Sequence, residues 1–170
     1  MIEGDRVVHQ ARYAHPVPAV WDALTDPAAL AAWLMPNDFV PTVGHHFQLD
    51  SGPNLGLIEG EVLDLDPPTL LRCRWTIEGV PTTVTIRLHA QGDETLLELE
   101  HTRLTLQARP HFDDGWDQKL QRDIGLVLSG ERDPTRSQMV DGRYSFSELE
   151  SERSQRAERA ERENGGSDPT

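Results

Sequence analysis

The chain has 170 residues, which is enough for one domain with a hydrophobic core but too few for two large domains. Its net charge of −13 argues against nucleic acid or an anionic membrane surface as the main partner, because both are negatively charged and repel an acidic protein. A single cysteine, Cys73, excludes an internal disulfide, and no apolar stretch reaches membrane-spanning length, which predicts no membrane insertion. The N-terminal residues are polar and show no signal-peptide pattern, so we expect a cytoplasmic protein.

Two short amphipathic helices are predicted after a first alternating strand at Val7–Tyr13. They occupy the segment Pro16–Trp33 and lie back to back. Pro18 and Pro27 suit the first turn of each helix, where a missing N–H leaves no hydrogen bond unmade. Asp26 stands directly before the second helix and is a candidate N-cap. The pair is expected to bury one apolar face.

Strand patterns fill most of the chain from residue 46 to residue 106. Apolar and polar residues alternate along these segments, so each strand has one buried and one solvated face, which is typical of an antiparallel sheet. Pro67 and Pro68 end one of them, because proline cannot donate to a strand ladder. The predicted strands are His46–Asp50, Leu57–Leu65, Leu70–Ile77, Thr82–Ala90 and Thr95–Leu106.

A long helix is predicted over Phe112–Leu128. Its apolar residues include Phe112, Trp116, Leu120 and Ile124, which recur at a spacing of four residues and form one stripe. The apolar face of the sheet needs a cover, and this helix is the large candidate. The sequence therefore predicts an α+β fold with one layer of sheet and one long covering helix.

Residues 131–170 differ in composition from residues 1–130. We place the domain at 1–130 and interpret 131–170 as a charged polar tail, partly helical or disordered, because its helical signals lack an apolar stripe. A short docking segment at Tyr144–Leu149 is the alternative. The polar signals of the tail are a capping box at Ser147–Glu150 and the four-residue ion pairs Glu152/Arg156 and Glu158/Arg162.

Three motifs in this order carry a resemblance to a known family. The first is the run H-P-V-P-A-V-W-D-A-L-T-D-P-A-A-L-A-A-W, which ends at Trp33. The second joins Gly60-x-Val62 to Asp66-Pro67-Pro68-x-x-Leu71 and Trp75, and the third joins His101 to Gly115-Trp116. Over residues 7–130 the chain resembles the homologues of the activator of the 90-kDa heat-shock-protein ATPase, in the START-like (SRPBCC) superfamily.

The resemblance implies a helix-grip fold. Such a fold has a curved antiparallel sheet of about six or seven strands around a long C-terminal helix, with two short helices after the first strand and a cavity between sheet and helix. Trp33, Phe39 and Phe47 are expected near the mouth of that cavity. Plain core packing is the alternative for most apolar candidates, and a satisfied core histidine is the favoured interpretation of His101. The predicted ligand-binding residues are Trp33, Phe39, Phe47, Trp75, Ile86, Leu99, His101, Trp116 and Leu120.

Patterns for catalysis and for metal binding are missing from the sequence. The seven histidines lack metal-ligand spacing, and the adjacent His45 and His46 fall on opposite faces of an extended segment. No serine lies in a G-x-S-x-G elbow, no glycine-rich phosphate loop occurs, and Cys73 is expected to be a buried, inert thiol. We therefore predict no catalytic residue, no metal and no cofactor.

Three functions remain open at this point. The leading hypothesis is a binding module for a mostly apolar small molecule. The second is an enzyme of the cyclase or dehydratase type acting on an aromatic or polyketide substrate, with His101, Arg74 and Tyr13 as its acid–base candidates. The third is a protein-interaction or co-chaperone module. The resemblance covers only one domain of the eukaryotic activators, so it does not favour a chaperone partner. The oligomeric state is left open.

Overall fold

The computed structural model describes residues 1–147 together with Arg159 and Arg162. The predicted capping box and the two ion pairs of the tail involve residues outside this part of the chain. These interpretations and the domain boundary at residue 130 stay predictions. In the described part of the chain, no helix combines the length and the apolarity that crossing a membrane requires.

A seven-stranded antiparallel sheet is the largest element of the described part of the chain. Its strands are β1 (Ile2–Glu3), β2 (Arg6–Tyr13), β3 (His46–Asp50), β4 (Leu57–Asp66), β5 (Leu70–Ile77), β6 (Val80–Gln91) and β7 (Glu94–Thr102). The spatial order is β1-β2-β7-β6-β5-β4-β3, so the first long strand lies beside the last. Alternate residues of the long strands are buried, as the sequence pattern predicted.

Two short helices, α1 (Val17–Thr25) and α2 (Pro27–Trp33), follow β2 and confirm the predicted pair. Prolines stand in the first turn of each helix, where they leave no hydrogen bond unmade. Asp26 occupies the N-cap position of α2, but its side chain makes no capping hydrogen bond. The predicted side-chain cap was therefore wrong, and the proline at the first position of α2 instead fixes a helical φ there.

A 21-residue helix covers the apolar face of the sheet and completes the predicted helix-grip fold. It consists of α3 (Ala108–Gln118), a π-helical turn (Lys119–Asp123) and α4 (Ile124–Leu128). It begins four residues before the predicted start at residue 112. Correspondingly, β7 ends at Thr102 rather than at residue 106, because Arg103 has a φ of 63° and leaves the extended region.

The residues that follow the long helix pack against the domain. A short 3-10 helix (Pro134–Arg136) precedes a hairpin of β8 (Gln138–Val140) and β9 (Arg143–Ser145). Asn37 joins this hairpin to the sheet, because it forms bridges both to Leu49 of β3 and to Tyr144 of β9. Sequence analysis had not predicted these elements.

Candidate functional site

The space between the sheet and the long helix is almost filled by side chains. It retains an apolar inner cavity of about 30 Å³. That volume holds one or two water molecules but no organic ligand without displacement of side chains. Six of the nine predicted ligand-binding residues line this inner cavity, namely Trp33, Phe39, Phe47, Trp75, Ile86 and Trp116.

The three residues expected at the opening of the inner cavity are buried instead. Trp33 is 1% exposed, and its indole N–H donates to the carbonyl of Ala23 at 2.6 Å. The rings of Phe39 and Phe47 meet edge to face, with their centroids 5.1 Å apart. These contacts hold all three side chains in the core, because an edge-to-face pair and a satisfied indole N–H favour burial. Their expected position at the opening was wrong.

His101 lies in the core with both ring nitrogens hydrogen-bonded. The indole N–H of Trp116 donates to Nδ1 at 3.1 Å, and Nε2 lies 2.7 Å from the hydroxyl of Thr82. That hydroxyl donates its own proton to the carbonyl of Trp75 at 2.7 Å, so the proton between Thr82 and His101 belongs to Nε2. Burial lowers the pKa of His101 from 6.5 to about 3, and the ring is neutral at pH 7.

Four aromatic rings form a partition, which we call the aromatic wall (Trp75, His101, Phe112 and Trp116). The His101 ring lies 4.9 Å from Phe112, 5.5 Å from Trp75 and 6.1 Å from Trp116, measured between ring centroids. Trp75 and Trp116 line the inner cavity, whereas Phe112 lines a second space. The wall therefore separates the two spaces.

The remaining predicted residues, Leu99 and Leu120, are buried in the core and line neither space.

The second space is a recess of about 220 Å³, which we call the mouth. It lies between the turn that joins β5 to β6, the loop after β7 and the start of α3. Its floor consists of Ile77, Thr82, Leu104 and Phe112, each at most 6% exposed. Its rim carries the exposed polar residues Glu78, Thr105, Gln107 and His111, and Leu55, Val80 and Ala108 complete the lining.

None of the nine predicted residues lines the mouth. Its side chains come mostly from turns and from the first turns of a helix, where strand alternation gives no signal about direction. The available signal was topological, because the turn Glu78-Gly79 between β5 and β6 and the loop Arg103–Gln107 between β7 and α3 lie at the same end of an antiparallel sheet.

A tight turn sets the position of Glu78 on the rim. Glu78 and Gly79 have successive positive φ values of 50° and 79°, which is the conformation of a two-residue hairpin loop between twisted strands. Of the described residues that line the mouth, Glu78 is the only one with a formal charge at neutral pH. An anionic carboxylate thus stands at the edge of an otherwise neutral recess.

Comparison with known proteins identifies the family. Residues 14–125 match the family described as activator of Hsp90 ATPase homolog 1-like protein. The chain belongs to this family. No curated protein matches the sequence.

Solved structures of similar proteins share the fold. CalU16 from Micromonospora echinospora is 32% identical, with a TM-score of 0.64 over 76% of this chain and 78% of that one. Protein MLL2253 from Mesorhizobium loti is 29% identical, with a TM-score of 0.66 over 75% and 98% of the two chains. PFC0360w, an HSP90 activator from Plasmodium falciparum, is 22% identical and supports the fold alone, with a TM-score of 0.64 over 74% and 97%.

In this family member, the acid–base candidates are engaged elsewhere. The Tyr13 hydroxyl donates to the carbonyl of Leu120 at 2.7 Å, and burial raises its pKa. The Arg74 guanidinium is ion-paired with Glu61 on the solvated face of the sheet. Burial also raises the pKa of the Cys73 thiol to about 12, which leaves it protonated and weakly nucleophilic. Both ring nitrogens of His101 are hydrogen-bonded within the core. None of the side chains of Tyr13, Cys73, Arg74 and His101 lines the mouth.

Proposed function

We propose that the protein binds a compact, largely apolar molecule in the mouth. The observation that carries this proposal is a recess of about 220 Å³ with a buried apolar floor and a polar rim. Ligand sites combine these two features, because apolar contact supplies affinity and a few polar groups fix orientation. A cavity of about 150 Å³ accommodates benzene, so the mouth suits one aromatic ring with a short substituent.

This proposal keeps the binding module predicted from the sequence but moves its site. The inner cavity of about 30 Å³ is smaller than any ring compound, whereas the mouth is about seven times larger. The enzyme hypothesis has less support, because its candidate His101 is shielded from the mouth by the floor residues Thr82 and Phe112. The co-chaperone hypothesis has no specific support in this geometry, and a cytoplasmic location stays a prediction.

An NMR titration with phenethyl alcohol tests the proposal. We expect a Kd of about 1 mM or below, since a ligand of this size gains roughly 0.5 kcal/mol per heavy atom. Amide shift changes should concentrate at residues 77–82 and 104–112. Changes that concentrate instead around the inner cavity, at Trp33 and Phe47, would overturn the assignment of the site, and no binding at all would overturn the proposed function.

A matched pair of variants locates the site independently. Ala108→Trp fills the mouth and should weaken binding of phenethyl alcohol at least about tenfold, because the indole occupies the volume of the ligand. Ala90→Trp makes the same change at an exposed position near the opposite end of β6 and should leave the affinity unchanged. Equal binding by Ala108→Trp and the wild type would contradict the proposal.

A further inference from the structure

We infer that the mouth selects ring compounds whose polar end carries a cationic amine. This inference rests on the proposed function and adds the charge of the ligand to it. Glu78 is the one formally charged side chain among the described residues that line the recess, and it is exposed at the rim. A cation beside it gains Coulomb energy, whereas a carboxylate is repelled.

The floor of the mouth offers an incoming ligand no free polar partner. Ile77, Leu104 and Phe112 present hydrocarbon, and the Thr82 hydroxyl is already engaged with His101 and with the carbonyl of Trp75. A polar group buried against this floor would lose its hydration without replacement. The ring of the ligand therefore points inward and its polar end stays at the rim.

The start of α3 does not compensate for an anionic ligand. Helix N-termini attract anions through unpaired N–H groups, but here those of Ala108 and Arg109 both donate to the carbonyl of Thr105, at 3.1 and 3.2 Å. Pro110 has no N–H to offer. The Nε of Arg109 donates to the carbonyl of Leu104, and its side chain is not part of the lining. The Glu78 carboxylate thus makes the rim favour a positively charged group on the ligand over a negatively charged one.

The charge of the whole chain acts in the same direction. The formal charge of −13 raises the local concentration of cations near the surface and lowers that of anions. This long-range contribution is not specific to the mouth, and salt screens it strongly. A test of the inference must therefore separate Glu78 from the background charge.

Three ligands of nearly the same shape and different charge provide that test. Phenethylamine, phenethyl alcohol and phenylacetate are titrated at pH 8 and low salt, where an alkyl ammonium is charged and histidine side chains are ordinarily neutral. The wild type should bind the amine about twofold to fivefold more tightly than the alcohol, as expected for an exposed ion pair. Phenylacetate should bind more weakly than the alcohol.

Two isosteric variants test whether the tighter binding of the amine depends on Glu78. Glu78→Gln should remove most of the advantage of the amine over the alcohol, and what remains measures the background charge of the chain. Glu94→Gln removes the same charge near the far end of β6, about 35 Å away along the strand, and should keep the advantage. If the alcohol binds in the mouth but the amine shows no advantage that depends on Glu78, or if phenylacetate binds most tightly, the inference is wrong and the proposed function stands. If none of the three ligands binds, both are wrong.

Discussion

At the scale of single residues, His101 shows how a titratable side chain becomes a neutral core residue. Its Nδ1 accepts a hydrogen bond from the indole N–H of Trp116, while its Nε2–H donates to the hydroxyl of Thr82. A protonated ring would place an N–H against the indole N–H of Trp116 and would also carry a buried charge. Burial lowers the pKa of His101 to about 3, and the hydrogen bond from Trp116 also favours the neutral ring.

The free energy of unfolding should therefore decrease as the pH is lowered, over a pH range set by His101. In the unfolded chain this histidine binds a proton below pH 6.5, whereas in the folded state it stays neutral down to about pH 3. Its contribution is fully present above pH 6.5 and is lost as the pH falls. Between pH 7.5 and 5 we expect a loss of about 2 kcal/mol in the free energy of unfolding, measured by urea titration.

His101→Gln should flatten this pH dependence by the same amount, because it removes the group that titrates. If that variant does not fold, the ring proton shifts of His101 in the wild type give a second measurement. They should stay constant from pH 7 to pH 5. A titration midpoint near 6.5 would contradict the pKa shift.

At the scale of elements, Gly60 explains how β3 and β4 pack. Gly60 of β4 pairs with Phe47 of β3, and the Phe47 ring lies directly over the glycine. A Cβ at position 60 would overlap the ring atoms Cε2 and Cζ of Phe47. The motif Gly60-x-Val62 thus has a packing reason, since only glycine leaves room for the ring that lines the inner cavity.

Gly60→Ala should destabilise the protein by about 1–3 kcal/mol, because the added methyl group forces Phe47 out of its position. The double variant Gly60→Ala with Phe47→Leu should lose less than the sum of the two single variants, since the smaller side chain removes the overlap. Urea unfolding of the four proteins measures this coupling. Additive losses would show that the contact between the two residues is not the cause.

At the scale of the whole molecule, the residues after the long helix are tied to the domain through a buried ion pair. The guanidinium of Arg132 lies 3.5 Å from the Asp123 carboxylate and donates to the carbonyl of Ala32 in α2. Both side chains are 6% exposed. Phe146 packs beside Ala31 and Ala32 and is 1% exposed. The α2 helix is thus held between the body of the protein and the chain that follows it.

Arg132→Met should lower the free energy of unfolding by about 3 kcal/mol, because it leaves the Asp123 carboxylate buried without this partner. Arg122→Met is the matched control. Arg122 contacts the same carboxylate but is 52% exposed, so its loss should amount to less than about 1 kcal/mol. Equal losses in the two variants, measured by urea unfolding, would contradict a dominant role for the buried pair.

Strand alternation and helix periodicity were sufficient to predict an antiparallel sheet, its covering helix and their buried faces, whereas the helix-grip fold was implied by the family resemblance. All nine candidate residues are in the core. For the eight that lie in helices or strands, a period of two or of about four residues determines which side of the element is apolar, whereas Phe39 lies in a loop. The mouth was not predicted, since its polar rim lies in turns whose backbone directions depend on φ values such as that of Glu78. The β8–β9 hairpin was missed because Gln138–Val140 is exposed and short, which leaves no periodic pattern.

The pairing of β2 with β7 also has a consequence for the time at which the protein can fold during its synthesis. Residues 7–13 pair with residues 95–101, so the first long strand has no neighbour except β1 until about ninety further residues have been made. At about 5–20 residues per second, that interval lasts roughly 5–20 seconds. Because this long-range pairing also encloses the core, a nascent chain that ends before β7 exposes both the apolar face of β2 and the open edge of β6. Folding of the sheet is therefore a late event on the ribosome, and the acidic solvated faces of the strands help to keep the waiting chain soluble.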